Sequence, residues 1–209
     1  MDLLRKHWFD LGGVLAILTI TYLALNFGGL SNYQRLMWMS LFSLFLHQLE
    51  EYRIVGTFPG MVNKIMFGSD MPDRYPLNTQ TALIINVFLG WNLYFLASYY
   101  AEKAVWLGMA TILISIGNIF AHSILFNIKG KTAYNAGMAS CLILFLPISI
   151  LFFYTIHTQK MVSSFDYVIG IPLGIVLNYF GILKLIDWMK DKDTFFVFPQ
   201  RCLLPDENE

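Results

Sequence analysis

The chain has 209 residues, of which 56% are hydrophobic and only 13% charged. Soluble domains carry about 25% charged residues, so this composition excludes an ordinary soluble globule and fits an integral membrane protein. Its 14 basic and 14 acidic side chains balance, leaving no surplus positive charge for a polyanion and no nucleic-acid partner to expect.

A spanning helix needs about 20 mostly apolar residues. Six windows qualify, at 10–29, 32–53, 79–100, 104–127, 135–156 and 166–187. They predict an all-α polytopic membrane bundle of about six transmembrane helices. One membrane domain covers 1–187, followed by a tail over 188–209. The opening MDLLRKHWFD is charged, but the apolar run after it is membrane-length and lacks a small-x-small cleavage site, so no cleavable signal peptide is expected. With the N-terminus in the cytoplasm, only Arg35, Lys103 and Lys160 of the 14 basic residues fall outside. That bias places both termini in the cytoplasm, as expected for the inner (cell) membrane of a bacterium. Cys141 and Cys202 read as free thiols with no assigned role.

The loop between the second and third windows contains TFPGMVNKIMFG, residues 57–68. Phe58, Met61, Val62, Ile65 and Met66 fall on one helical face. Thr57 suits a cap, Pro59 a first turn and Gly68 a stop. The segment predicts a short amphipathic helix in the interface, either a surface anchor or a lid over whatever the second helix presents. Pro147 and Pro172 predict kinks, and the small residues in 137–141 and 170–174 predict close helix approach.

The second window ends in LFLHQLEEYR, residues 44–53. On a helix, His47, Glu50 and Glu51 share a face. Counting from Arg53 at about 1.5 Å per residue, His47 lies about 9 Å in and the glutamates about 3–5 Å in. The fourth window runs the opposite way and holds Asn118 and His122 at i and i+4, with His122 about 10 Å from its cytoplasmic end. The two histidines thus reach the same depth. Asn86 and Asn178 lie in the same half of their windows, and Tyr134 and Asn135 open the fifth.

A charge near a bilayer centre costs about 2.5–3.5 kcal/mol, less near the ends, and two adjacent carboxylates also repel. No Lys or Arg lies deep in any window to offset this. A divalent ion would. Two His and one Glu leave an open position for water. This pattern nominates His47, Glu51 and His122 as ligands of one metal, zinc first, with manganese or iron as alternatives, and Glu50 as general base. The two glutamates are interchangeable in this reading. Asn118, Tyr134, Asn86 and Asn178 are further polar candidates. The function expected is a metal-dependent hydrolase acting on a lipid-like or prenyl-like substrate from the cytoplasmic leaflet, with membrane lipids as its surroundings. A small transporter or proton carrier using the same cluster is the alternative. A non-catalytic scaffold, with the polar patch snorkelling to water or holding helices together, is the third.

His47-Gln48-Leu49-Glu50-Glu51, followed by Phe58-Pro59-Gly60, resembles the HXXEE-motif family of membrane proteins. That family is marked by the motif, a second histidine and a YxPG sequence. Here the second histidine is His122, and Tyr134-Asn135-Ala136-Gly137 stands in place of YxPG, with alanine for proline. The resemblance implies a shared membrane fold and a shared polar site, and no activity.

Overall fold

The computed structural model describes residues 2–205 and is helical, with no strand among them. Met1 and the last four residues of the tail expected over 188–209 lie outside the described residues. The helical turns join into seven runs among the described residues: α1 (Asp2–Asn26), α2 (32–54), α3 (58–66), α4 (79–100), α5 (105–130), α6 (Met138–Thr158) and α7 (Ser164–Trp188). Local chemistry sets several starts. Ser31 and Gln34 exchange side chain-to-backbone hydrogen bonds of 3.0 Å at the head of α2, a reciprocal cap for two otherwise free N–H groups. Asn78 Oδ1 accepts from the N–H groups of Gln80 and Thr81 at the head of α4.

Four helical stretches among the described residues are long and apolar enough to cross a membrane: Asp2–Asn26, Thr79–Gly130, Met138–Thr158 and Ser164–Trp188. They make this a membrane protein. The second has 52 residues and folds back on itself. Ala101 takes φ 42 and ψ −113, and Tyr94 donates its hydroxyl to Thr111 O at 2.9 Å. Seventeen residues of straight helix would hold those groups about 25 Å apart, so α4 and α5 form a hairpin.

Helix α2 is not among the four, because Arg35, Glu50, Glu51 and Arg53 make it too polar. Its position resolves the difficulty. It packs against α1, α4 and α6, which bury His47, Gln48, Glu50 and Glu51. The outer helices turn apolar side chains outward instead, with Leu25 80% and Ile143 and Val168 each 70% exposed. A lipid-facing surface has this pattern and a water-facing one does not.

The segment 57–68 folds as expected into α3, with Pro59 in its first turn and Gly68 at φ 61 beyond its end. Its five apolar residues all pack into the cluster around Trp8, Tyr52 and Phe126. One detail differs: Thr57 makes no side-chain capping bond. The tail is not free either. Phe196 O accepts from Thr79 N–H at 3.0 Å, Phe198 N–H donates to Asp73 O at 2.7 Å, and Arg201 donates to Tyr52 O at 2.8 Å. It straps the loop between α3 and α4, the first turn of α4 and the last turns of α2.

Candidate metal centre

Three segments build the site: the last turns of α2, the middle of α5, and the turn 134–137 with the head of α6. Each helix carries a wide turn closed by an i→i+5 bond: Val55 N–H to Glu50 O, Phe126 N–H to Ala121 O, and Leu146 N–H to Cys141 O. Such turns re-aim side chains and recur at functional sites.

Glu51 lies between the two histidines. Its Oε1 is 3.4 Å from His47 Nε2 and 3.2 Å from His122 Nε2. The rings stand 5.0 Å apart at 85°. All three side chains are buried. Neither contact has hydrogen-bond geometry, and both Nε2 atoms are buried without a hydrogen-bond partner.

The other nitrogen of each ring is engaged, and its partners fix the tautomer. Asn135 spends its amide donors on His122 O and Asn127 Oδ1, both at 2.7 Å. Its Oδ1 therefore accepts, and His122 Nδ1 donates to it at 2.7 Å. Ser140 gives its single hydroxyl proton to Glu50 Oε2 at 2.6 Å, so its oxygen accepts from His47 Nδ1 at 2.9 Å. Imidazoles protonated at Nδ1 alone would present two bare Nε2 lone pairs to a carboxylate. Three acceptors facing one another repel, unless protons or a cation lie between them. Donors bound to zinc at about 2.0–2.2 Å in a tetrahedron stand about 3.3–3.6 Å apart. The two Oε1–Nε2 separations, 3.4 and 3.2 Å, lie close to that spacing, and the Nδ1 partners are the outer hydrogen bonds that metal-binding histidines usually make.

Glu50 is placed differently. Its Oε1 accepts from Tyr134 Oη at 2.6 Å and Ala139 N–H at 3.0 Å, and its Oε2 from Ser140 N–H at 2.8 Å as well as from the Ser140 hydroxyl. It caps the N-terminus of α6 from another helix, where the dipole favours an anion. Burial and the Glu50 carboxylate push the Tyr134 phenol up, so it stays protonated and donates. The four donors leave Glu50 poorly suited to the general-base role expected for it.

Asn86 and Asn118 line a cavity of about 90 Å³ beside His47 and Glu51. Asn178 does not line it; it bonds Leu113 O and Gly174 O in the α5–α7 contact. Sequence reasoning passed over Ser140, Cys141, Gln48 and Tyr52. Cys141 matters because His47, His122 and Cys141 offer donor atoms all within 4.8 Å of one another, a group able to hold a metal ion. Its sulfur lies 3.8 Å from His47 Nδ1, the nitrogen already bonded to Ser140. Cys141 sits in GMASC, where small residues read as helix packing. The signal was its neighbour Ser140, a second polar group near the end of a window.

The profile of a family described as "Protein of unknown function with HXXEE motif" matches residues 38–152, more than half of the 209. The chain belongs to the HXXEE family. No curated protein and no solved structure matches it. In this HXXEE protein the match spans the motif itself, His122 and the Tyr134–Gly137 turn. Every residue of that turn serves the site or its packing: Tyr134 holds Glu50, Asn135 holds His122, Ala136 is buried, and Gly137 lies against both rings. Gly137 has φ 104, and a Cβ there would fall 2.7 Å from His122 Nδ1 and 2.9 Å from His47 Cε1. Gly137→Ala should therefore cost about 2–4 kcal/mol through backbone strain and overpacking. A thermal melt in detergent checks this; an unchanged Tm would show that the turn has room the geometry denies.

Proposed function

We propose that this HXXEE protein is a membrane-embedded, metal-dependent hydrolase acting on lipid-like substrates. In this reading His47 Nε2, Glu51 and His122 Nε2 hold one divalent ion, zinc first, with manganese and iron as alternatives. The observation that carries it is the pair of buried, partnerless Nε2 atoms converging on one carboxylate oxygen, each with its Nδ1 proton already placed. Bound there, the ion would polarise a carbonyl and bring the pKa of a water to about 7. The chain supplies the remainder. Asn135 and Ser140 fix the rings, and Phe58 of α3 stacks 5.6 Å from His122 and limits water on that side. Glu51 is the carboxylate lining the cavity, so its second oxygen is the acceptor best placed for a proton from an attacking water.

The topology that goes with this reading has six spans: α1, α2, α4, α5, α6 and α7. The distribution of Lys and Arg puts both termini and the site on the cytoplasmic side. The location of α3 over the histidines favours its reading as a lid.

Metal analysis tests the proposal. Protein purified without a chelator or a His tag should carry about one transition metal per chain, and turnover of a neutral acyl ester or amide should stop on chelation and return with zinc. Cobalt substitution reads the ligand set: an absorption spectrum unchanged by Cys141→Ser fits nitrogen and oxygen ligands. A thiolate charge-transfer band lost in that variant would replace Glu51 by Cys141 as third ligand. No bound metal, even after reconstitution with zinc, manganese or iron, would end the metal reading.

A further inference from the structure

The cavity beside the candidate metal centre has a chemical character that the motif does not announce. It extends along α4 from Ile85 to Leu93, about 12 Å at 1.5 Å per residue. One end carries His47, Glu51 and Asn118, with Gln48, Tyr52 and Asn86 beside them. The other runs between α4 and α7, where Gly181 thins the wall beside Leu89 and Leu177. These are outer helices with exposed apolar neighbours, Phe88 and Phe180, so the gap faces lipid.

The polar end is specific in what it lacks. Among the described residues, Glu51 is the one charged-type carboxylate in the lining, and no lysine or arginine joins it. Phosphate recognition ordinarily draws on such cations. Beside His47 and Glu51 the polar groups are uncharged amides and phenols. Gln48 is fixed from both sides, accepting from Trp91 Nε1 at 2.7 Å and donating to Asn86 Oδ1 at 3.0 Å. Tyr52 Oη accepts from Asn86 at 3.4 Å, and no acceptor for its own proton occurs among the described residues. Asn118 donates to Ile114 O at 3.2 Å and keeps its carbonyl oxygen without a donor. The Tyr52 O–H and the second N–H of Gln48 and of Asn118 remain as donors and Asn118 Oδ1 as an acceptor, a set that suits an uncharged head group carrying both.

We infer that the cavity takes a neutral single-chain lipid with an acyl amide or hydroxy-ester head, its carbonyl toward His47 and Glu51 and its chain leaving between α4 and α7 past Gly181 and Leu89. A pocket about 12 Å long, with about 90 Å³ open to the centre of a water-sized sphere, is a narrow channel that accepts one acyl chain and not two side by side. The assignment takes the proposed metal centre as the reacting end. Hydrolysis would then add the oxygen of water to the carbonyl carbon, break its bond to the head-group nitrogen or oxygen, and pass a proton to that leaving atom.

The test uses radiolabelled N-decanoylethanolamine and the full-length protein in mild detergent, with zinc content measured on the same samples. Saturable binding of one molecule per chain is expected, displaced by monodecanoylglycerol and not by decanoyl lysophosphatidate. Gly181→Phe should weaken binding at least tenfold with zinc content unchanged, because a Cβ at Gly181 meets its nearest neighbour, Leu89 Cδ1, at an ordinary 3.6 Å, so the added ring enters the cavity. Gly90→Leu is the second variant: a Cβ there faces Gln48 Nε2 at 3.6 Å and Leu44 Cδ2 at 3.7 Å, both in the cavity lining, so the added side chain takes up the space beside the polar end. A wild-type protein that holds zinc but binds no decanoyl amide would overturn the substrate class and leave the metal reading intact. Equal displacement by lysophosphatidate, or full binding in both glycine variants, would overturn it too. Saturable binding that both glycine variants weaken, in protein that holds no metal, would keep the cavity assignment and remove the catalytic one.

Discussion

Glu51→Gln should strip the metal from this protein and leave its fold standing. The side chain faces two bare imidazole nitrogens at 3.4 and 3.2 Å and is buried. Glutamine keeps the shape, removes the charge and retains an oxygen, but a neutral amide oxygen is a poor ligand for zinc. Metal affinity should fall at least a hundredfold, beyond the 10–100-fold typical of losing an outer-shell partner. Stability of the metal-free protein should not fall. A lone buried carboxylate is a cost that the membrane interior enlarges, and glutamine does not carry it. The measurement is paired: metal per chain by mass spectrometry, and Tm of the chelated protein. Retained metal would sink Glu51 as a ligand and turn attention to Cys141. A lower Tm in the metal-free state would mean that Glu51 works as an ion-pair partner of charged histidines, the arrangement that a proton carrier would use.

Much of the fold was legible because hydropathy and length are strong signals. Each of the six windows falls on helix, five of them on the four stretches long and apolar enough to cross a membrane, and the segment 57–68 displayed its amphipathic face residue by residue. The convergence of His47 with His122 was legible in part, since matched depth follows from counting residues. Depth does not fix azimuth. The rotation of α5 that turns His122 toward Glu51 depends on its wide turn and on packing against α2 and α6, and no short-range pattern encodes that. The two glutamates could not be told apart for the same reason. As i+3 and i+4 of His47 they share a face, and only the position of α6 sends one to a helix N-terminus and the other to the histidines. Ser140 and Cys141 were overlooked because small residues in a membrane helix ordinarily mean close packing, and here they do that too. The docking of the tail was not legible, because its anchors are backbone groups of Asp73, Thr79 and Tyr52, which carry no sequence signature.

Glu50→Gln should behave in the opposite way to Glu51→Gln. Glu50 accepts four hydrogen bonds from Tyr134, Ala139 and Ser140. Glutamine can accept on one side only. Its amide group would point N–H at N–H on the other side, leaving buried donors without a partner at about 1–3 kcal/mol in total. In a chain of this size that is a fall in Tm of roughly 3–10 °C. The consequence reaches the site through one atom. Without the carboxylate to take its proton, the Ser140 hydroxyl no longer has a fixed direction, and the acceptor that holds His47 Nδ1–H is loosened. Zinc affinity should therefore drop about tenfold, in the range for an outer-shell partner, and remain measurable. Glu50→Ala should cost more, about 2–4 kcal/mol, since every donor loses its acceptor. Ser140→Ala gives an independent arm: it too frees His47 Nδ1, so it should reproduce the tenfold zinc loss while sparing the Ala139 and Tyr134 bonds to Glu50. The opposite result is well defined. If Glu50→Gln abolishes turnover of an acyl substrate with Tm and zinc content unchanged, Glu50 is the general base after all. The four donors seen around it would then belong to a resting state that substrate displaces.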